Sequence, residues 1–143
     1  MVKKTHTVKH NIICDEYKTI LYLSKAYNGT THDKKLADEE NLVFPEGFQI
    51  ELLQDTGYQG YNPKNVTIIM PTKKPKGKEL TQQQKDTNKE ISSKRVLIEH
   101  AIGGVKILRI IKDEIRIYKE TTRNLIMKIA CAIHNLKIKL ANN

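Results

Sequence analysis

Apolar and polar positions alternate through the first third of the chain in the manner of strands. Thr5 to Asp15 and Thr19 to Tyr27 are rich in β-branched and aromatic residues, and the polar tetrad Asp15-Glu16-Tyr17-Lys18 between them is turn-like. This pattern predicts an antiparallel hairpin. Asn28-Gly29 breaks it, and Lys34 to Glu40 reads as a short helix before the loop Pro45-Glu46-Gly47. Phe48 to Leu53 returns to strand character, with Ile50 and Leu52 on one face. Val66 to Met70, closed by Pro71, reads as a further buried strand.

After residue 71 the period changes. Thr72 to Lys78 holds two breakers and no periodicity, so it is a basic loop. Thr81 with Gln84 makes a capping box, with Leu80 placed for the hydrophobic staple, which predicts a long helix from near Gln82 to Gly103-Gly104. A second helix is predicted from Thr121 or Thr122 to about Leu140. In it Leu125, Ile129, Ala132, Leu136 and Leu140 recur at helical spacing and read as the core face. No internal repeat is present. The order strand, strand, short helix, strand, strand, long helix, helix predicts one α/β domain with a mixed sheet and C-terminal helices.

Composition narrows the class. With 38% hydrophobic and 29% charged residues the chain has the make-up of a folded globular protein rather than a disordered one. Cys14 and Cys131 sit in apolar runs and match no metal or redox spacing, so they are expected as buried, reduced thiols. The basic N-terminus lacks the apolar core of a signal peptide. The apolar stretch Leu125 to Leu140 is interrupted by Lys128, Lys137 and Lys139 and is too short for a bilayer. A cytoplasmic protein without a membrane partner is expected.

The net charge of +9 is unevenly placed. Residues 1–72 carry 8 Lys/Arg against 9 Asp/Glu, and residues 73–143 carry 17 against 7. A basic field confined to one part of a chain attracts polyanions, nucleic acid above all. An anionic membrane surface is the competing partner, and a solvated basic face is the plainer alternative.

Three acids stand at positions where chemistry is plausible. Asp55 ends an apolar strand and precedes Thr56-Gly57-Tyr58-Gln59-Gly60, which puts its carboxylate at a strand's C-terminal edge, the usual ligand side of α/β sheets. On the long helix Arg95, Glu99 and Lys106 fall within about 40° of one another, with Ser92 beside them. Leu97, Ala101 and Leu108 lie opposite. Two such carboxylates can together hold Mg²⁺, which takes oxygen ligands. Each also has an ordinary explanation: Asp55 as a turn residue, Glu99 as the i,i−4 partner of Arg95, and Asp33 as part of a Thr30-x-x-Asp33 capping pattern.

In their joint order several motifs resemble one known family. They are Lys-Thr-His-Thr-Val-Lys at 4–9, Gly29-Thr-Thr-His-Asp33, Asp55-Thr-Gly-Tyr-Gln-Gly60, Pro71-Thr-Lys-Lys-Pro-Lys-Gly77, Glu79-Leu-Thr81, Arg95-Val-Leu-Ile-Glu-His-Ala-Ile-Gly103 and Ile133-His-Asn-Leu136. Together they resemble the DDE superfamily transposases of bacterial insertion sequences, of the insertion sequence five type and related to Harbinger transposases. The resemblance implies an RNase H-like fold in which three acids hold two divalent cations, Mg²⁺ or Mn²⁺, for cleavage and joining of DNA. It implies Asp55 as the second acid and Glu99 as the third, both catalytic and metal-binding, with Asp33 of the His-Asp motif in support. It implies DNA, both transposon ends and target, as partner, in a nucleoid-associated bacterial protein. Lys73, Lys74, Lys76, Lys78, Arg95, Lys106 and Arg109 are the expected phosphate contacts.

In the family the first acid lies on a strand that precedes the Lys-x-His-Thr-Val-Lys segment, which here begins at Lys4. The resemblance therefore implies an incomplete domain lacking the first central strand. Such a chain is expected to be inactive alone and catalytic only with an upstream transposase segment, either as a frameshift product or as a remnant. A homodimer formed through the exposed sheet edge is a further expectation. The alternative is a catalytically inactive basic DNA-binding protein derived from a transposase.

Overall fold

A computed structural model describes residues 7–106 and 119–142. The chain forms two compact units, one built from Met1–Thr31 with Leu97–Asn143 and the other from His32–Val96. Each strand ladder is two strands wide. The expected mixed sheet thus takes the form of mixed pairing, antiparallel in the first unit and parallel in the second.

In the first unit the predicted hairpin forms, with each arm broken in two. Strand β1 (Val8–Lys9) pairs with β4 (Tyr27–Asn28), and β2 (Ile12–Cys14) pairs with β3 (Ile20–Leu23). The break has a side-chain cause. The Asn11 N–H donates to Ser24 Oγ at 2.8 Å while the Ser24 N–H donates to the Asn11 carbonyl at 2.9 Å, so a buried hydroxyl stands in for a ladder carbonyl. The polar tetrad closes the hairpin as predicted. Asp15 accepts from the Thr19 N–H, and Lys18 adopts the left-handed conformation at φ 68°.

Helix α3 (Glu120–Ala141) and α2 (Gln82–Val105) from Leu97 onward complete this unit. Its core gathers Ile20, Ala101, Val105, Ala130 and Cys131, with Ile12, Cys14, Leu23 and Met127 packed on it. Three polar side chains of α3 hold the hairpin. Asn135 grips the Ile20 backbone through both its N–H (2.8 Å) and its carbonyl (2.9 Å). Asn124 accepts from the Ala26 N–H at 2.7 Å, and His134 donates to the Lys18 carbonyl at 2.8 Å.

One expectation is overturned here. The stripe Leu125, Ile129, Ala132, Leu136 and Leu140 is exposed, Leu136 at 56% and Leu140 at 66%. The buried face is instead Ala130, Cys131 and His134. Small side chains win the core because they let the helix come close to its neighbours: a Cβ on Gly104 would lie 2.3 Å from His134 Nδ1. Both cysteines are free, Cys131 buried and Cys14 half-buried. Burial pushes both thiols up, and Asp15 adds to the shift at Cys14.

In the second unit β5 (Ile50–Leu53) and β6 (Val66–Ile69) run parallel, in register from Ile50↔Val66 to Leu53↔Ile69. Ile50 and Leu52 are half-buried while Glu51 is exposed, in keeping with the predicted alternation. Helix α1 (Asp33–Glu40) buries Leu36 and Ala37. The capping box of α2 forms reciprocally: Thr81 N–H to Gln84 Oε1 at 3.0 Å, and Gln84 N–H to Thr81 Oγ1 at 3.2 Å. The helix passes through Gly103-Gly104, one residue beyond the pair. No helix among the described residues is long and apolar enough to cross a membrane.

Candidate active site

Asp55 is presented by the end of β5. The ladder extends one residue past the strand, with the Gln54 N–H donating to the Ile69 carbonyl at 2.9 Å, and the chain then turns out of the sheet. Asp55 caps the 3-10 turn Thr56–Tyr58, its Oδ1 accepting from the Thr56 N–H at 2.7 Å. Its Oδ2 receives Arg95 Nη2 of α2 at 3.2 Å. The carboxylate is thus a turn residue, as its plainer explanation requires, and is also half-exposed and held by a cation.

Asp33 approaches the same turn. A Cβ built on Gly57 would lie 2.6 Å from Asp33 Oδ2, so the glycine is a cradle for this carboxylate that any side chain would fill. Tyr58, the next residue, has its phenol pushed up to about 12, by burial first and then by the negative charges of Asp33 and Asp55. Two carboxylates and a phenol therefore share one neighbourhood.

The capping expectation for Asp33 fails. Thr30 Oγ1 bonds to Asn28, the helix is preceded by His32 without a side-chain cap, and Asp33 opens the helix. There its charge meets the unpaired N–H groups of the first turn, which favour an anion.

Glu99 is exposed on α2, one helical turn after Arg95. It makes no hydrogen bond or ion pair among the described residues. The i,i−4 pairing with Arg95 that would have explained it away is not made, because Arg95 goes to Asp55. Asp55 belongs to the second unit and Glu99 to the first. Among the described residues no three His, Cys, Asp or Glu side chains form a group that could hold a metal.

The basic loop is tied down at its start. Asn88 of α2 accepts from the Thr72 N–H at 2.8 Å and donates to the Thr72 carbonyl at 2.9 Å. Lys73, Lys74, Lys76 and Lys78 are all exposed, and Lys74 pairs with Glu79. Gly77 takes φ 74°, which a glycine allows at no steric cost. Lys106 is exposed at the end of α2, and Arg109 lies outside the described residues.

Sequence reading missed three residues of this region. Tyr58 stands inside the Asp55 to Gly60 motif, where nothing in the spacing signals its burial beside two acids. Asn88 is a polar side chain in a polar helix face and carries no signal. Gln54, 6% exposed, has neither amide atom hydrogen-bonded among the described residues. Its signal was a polar side chain at the third position of the apolar alternation 50, 52, 54.

At the end of β5 one carboxylate stands at a strand end with a second, from α1, lodged against the same turn, and the loop Lys73–Lys78 is exposed. Residues 1–135 match the family described as DDE superfamily endonuclease, and the chain belongs to it. Over 111 residues it is 30% identical to a protein named probable transposase for insertion sequence element IS702, from Microchaete diplosiphon. That alignment takes in 78% of this chain and 40% of the relative, so the chain spans about two fifths of the curated protein it matches. No solved structure matches the chain.

Proposed function

We propose that this chain supplies the second and third acids of an RNase H-like DDE catalytic centre, which cleaves and joins DNA phosphodiesters during transposition. The observation that carries the reading is Asp55, a half-exposed carboxylate at the end of a parallel strand, with Asp33 lodged against the same turn. Endonucleases of this superfamily use divalent metal ions, generally Mg²⁺. Asp55 and Asp33 offer hard carboxylate oxygens at one turn, which suits such a cation, and Glu99 is the further acid that the family resemblance implies. Bound to these acids, Mg²⁺ or Mn²⁺ would neutralise charge at the phosphate and lower the pKa of the attacking oxygen.

The protein's own part is placement. The Thr56 N–H and Arg95 orient Asp55, and Gly57 leaves room for Asp33. The Lys73–Lys78 loop, held by Asn88, contacts phosphates and sets the DNA in register, with Lys106 and Arg109 in support. Two acids at family positions leave a metal pair short of ligands, and the relative is more than twice as long as the matched span. We take the first acid to come from a transposase segment outside these residues.

The test is cleavage of transposon-end DNA with Mg²⁺ or Mn²⁺. The 143-residue chain alone is expected to be inactive, and joining it to the remaining transposase segment to give activity. In the joined protein Asp55→Asn and Glu99→Gln should each abolish cleavage with DNA affinity nearly intact, and Asp33→Asn should cost less. Specific, metal-dependent cutting by the chain alone overturns the reading. The Glu99→Gln preparation controls for contaminating nuclease.

A further inference from the structure

The outer face of α3 is apolar, and none of the contacts described above uses it. At about 100° per residue, Leu125, Ile129, Ala132, Ile133, Leu136 and Leu140 fall within an arc of about 100°. All six are exposed. The buried Ala130, Cys131 and His134 lie across the helix axis from them. The helix is therefore apolar on two opposite faces, and among the described residues only one is packed in the core. Exposed apolar stripes of this kind mark interaction sites.

The rim is of one sign. Lys128 and Lys139 flank one edge of the arc and Lys137 the other, and all three are exposed and unpaired among the described residues. Residues 121–142 contain no Asp or Glu. The stripe steps by four, three, four and four residues from Leu125 to Leu140, which keeps it on one side of an α-helix with its period of about 3.6 residues. Leu136 and Lys139 also line a shallow groove with Tyr17 and Thr19 of the hairpin turn, which widens the surface at that end.

We propose that this face of α3 is a docking seam for an amphipathic helix that carries carboxylates on both sides of its apolar stripe. Apolar side chains would fill the seam, and Glu or Asp at the flanking heptad positions would meet Lys128, Lys137 and Lys139. A second copy of this chain fits poorly, because it would set these lysines against one another. DNA has phosphates for the lysines but no apolar counterpart for six exposed side chains.

The experiment titrates the full chain with two synthetic three-heptad helices. Both carry leucine at the seam positions; one has glutamate and the other lysine at the flanking positions. Fluorescence anisotropy is expected to show the acidic helix binding at least about tenfold more tightly. Leu136→Asp should abolish that binding with helix content by circular dichroism unchanged. If Leu136→Asp does not fold, the surface triple variant Lys128→Glu, Lys137→Glu, Lys139→Glu decides, by inverting the preference. Equal affinity for the two peptides, or no affinity for the acidic one, overturns the proposal. So does a dimer seen by light scattering that Leu136→Asp dissolves, which assigns the face to a second copy. Binding to phosphatidylglycerol vesicles with no binding of the acidic peptide assigns it to an anionic membrane and overturns it equally.

Discussion

At Gly104 a single methyl group separates packing from collision. A Cβ there would meet His134 Nδ1 at 2.3 Å, and the ring cannot retreat freely because its other nitrogen donates to the Lys18 carbonyl. Gly104→Ala should destabilise by roughly 1–3 kcal/mol. At Gly103 nothing lies within 4 Å, and Gly103→Ala should stabilise the helix by roughly 0.5–1 kcal/mol. Urea unfolding of the two variants checks the opposite signs. Tyr58 makes a pH prediction. Its pKa is raised from 10.0 to about 12, so between those values the folded chain holds a proton that the unfolded chain has lost. Its contribution to stability is complete below pH 10 and falls as pH rises towards 12, by linkage. Tyr61 is raised as well, by burial first and then by Asp38, so ultraviolet titration of phenolate should show a late component that Tyr58→Phe diminishes.

Among the elements, α3 is the one whose pattern and placement part company. Its helical period was legible, since Leu125, Ile129, Leu136 and Leu140 recur as an amphipathic helix requires. The face that faces inward was not, because a run such as Ile129-Ala-Cys-Ala-Ile133 is apolar all the way round. Close approach then selects the small residues Ala130 and Cys131 for the core. The His134-Asn135 pair has a fold-level explanation in the hairpin it grips. Asn135→Ala removes both bonds to Ile20 and should cost roughly 1–3 kcal/mol, while Asn135→Asp keeps the acceptor but sets a carboxylate oxygen against the Ile20 carbonyl and should cost at least as much at neutral pH. Thermal unfolding of both variants measures the difference. By contrast the α2 cap and the hairpin turn were fully legible, because both are made by residues within four positions of one another.

Over the whole molecule the dominant physical quantity is charge. The excess of 17 Lys/Arg over 7 Asp/Glu after residue 72 predicts DNA binding that is sequence-tolerant and steeply salt-dependent, through counterion release. Replacing Lys73, Lys76 and Lys78 by alanine should weaken binding evenly across sequences and reduce the salt slope by about three. Anisotropy titrations between roughly 50 and 200 mM salt measure it, and an affinity flat over that range speaks against phosphate contacts.

By itself the sequence determined what depends on near neighbours and on sums. The strand and helix periods, the caps, the Asp55 strand end, the basic half and the family motifs are all of this kind. Tertiary structure decided which groups meet across distance. It took Arg95 from Glu99 to Asp55, forty residues away. It lodged Asp33 against Gly57, raised Tyr58 by burial and by the charges of two carboxylates, and turned the outer stripe of α3 to solvent. The reason is one of range. Periodicity and capping act over three or four residues. Ion pairs, burial and close approach depend on where remote segments come to rest, and no spacing along the chain encodes that.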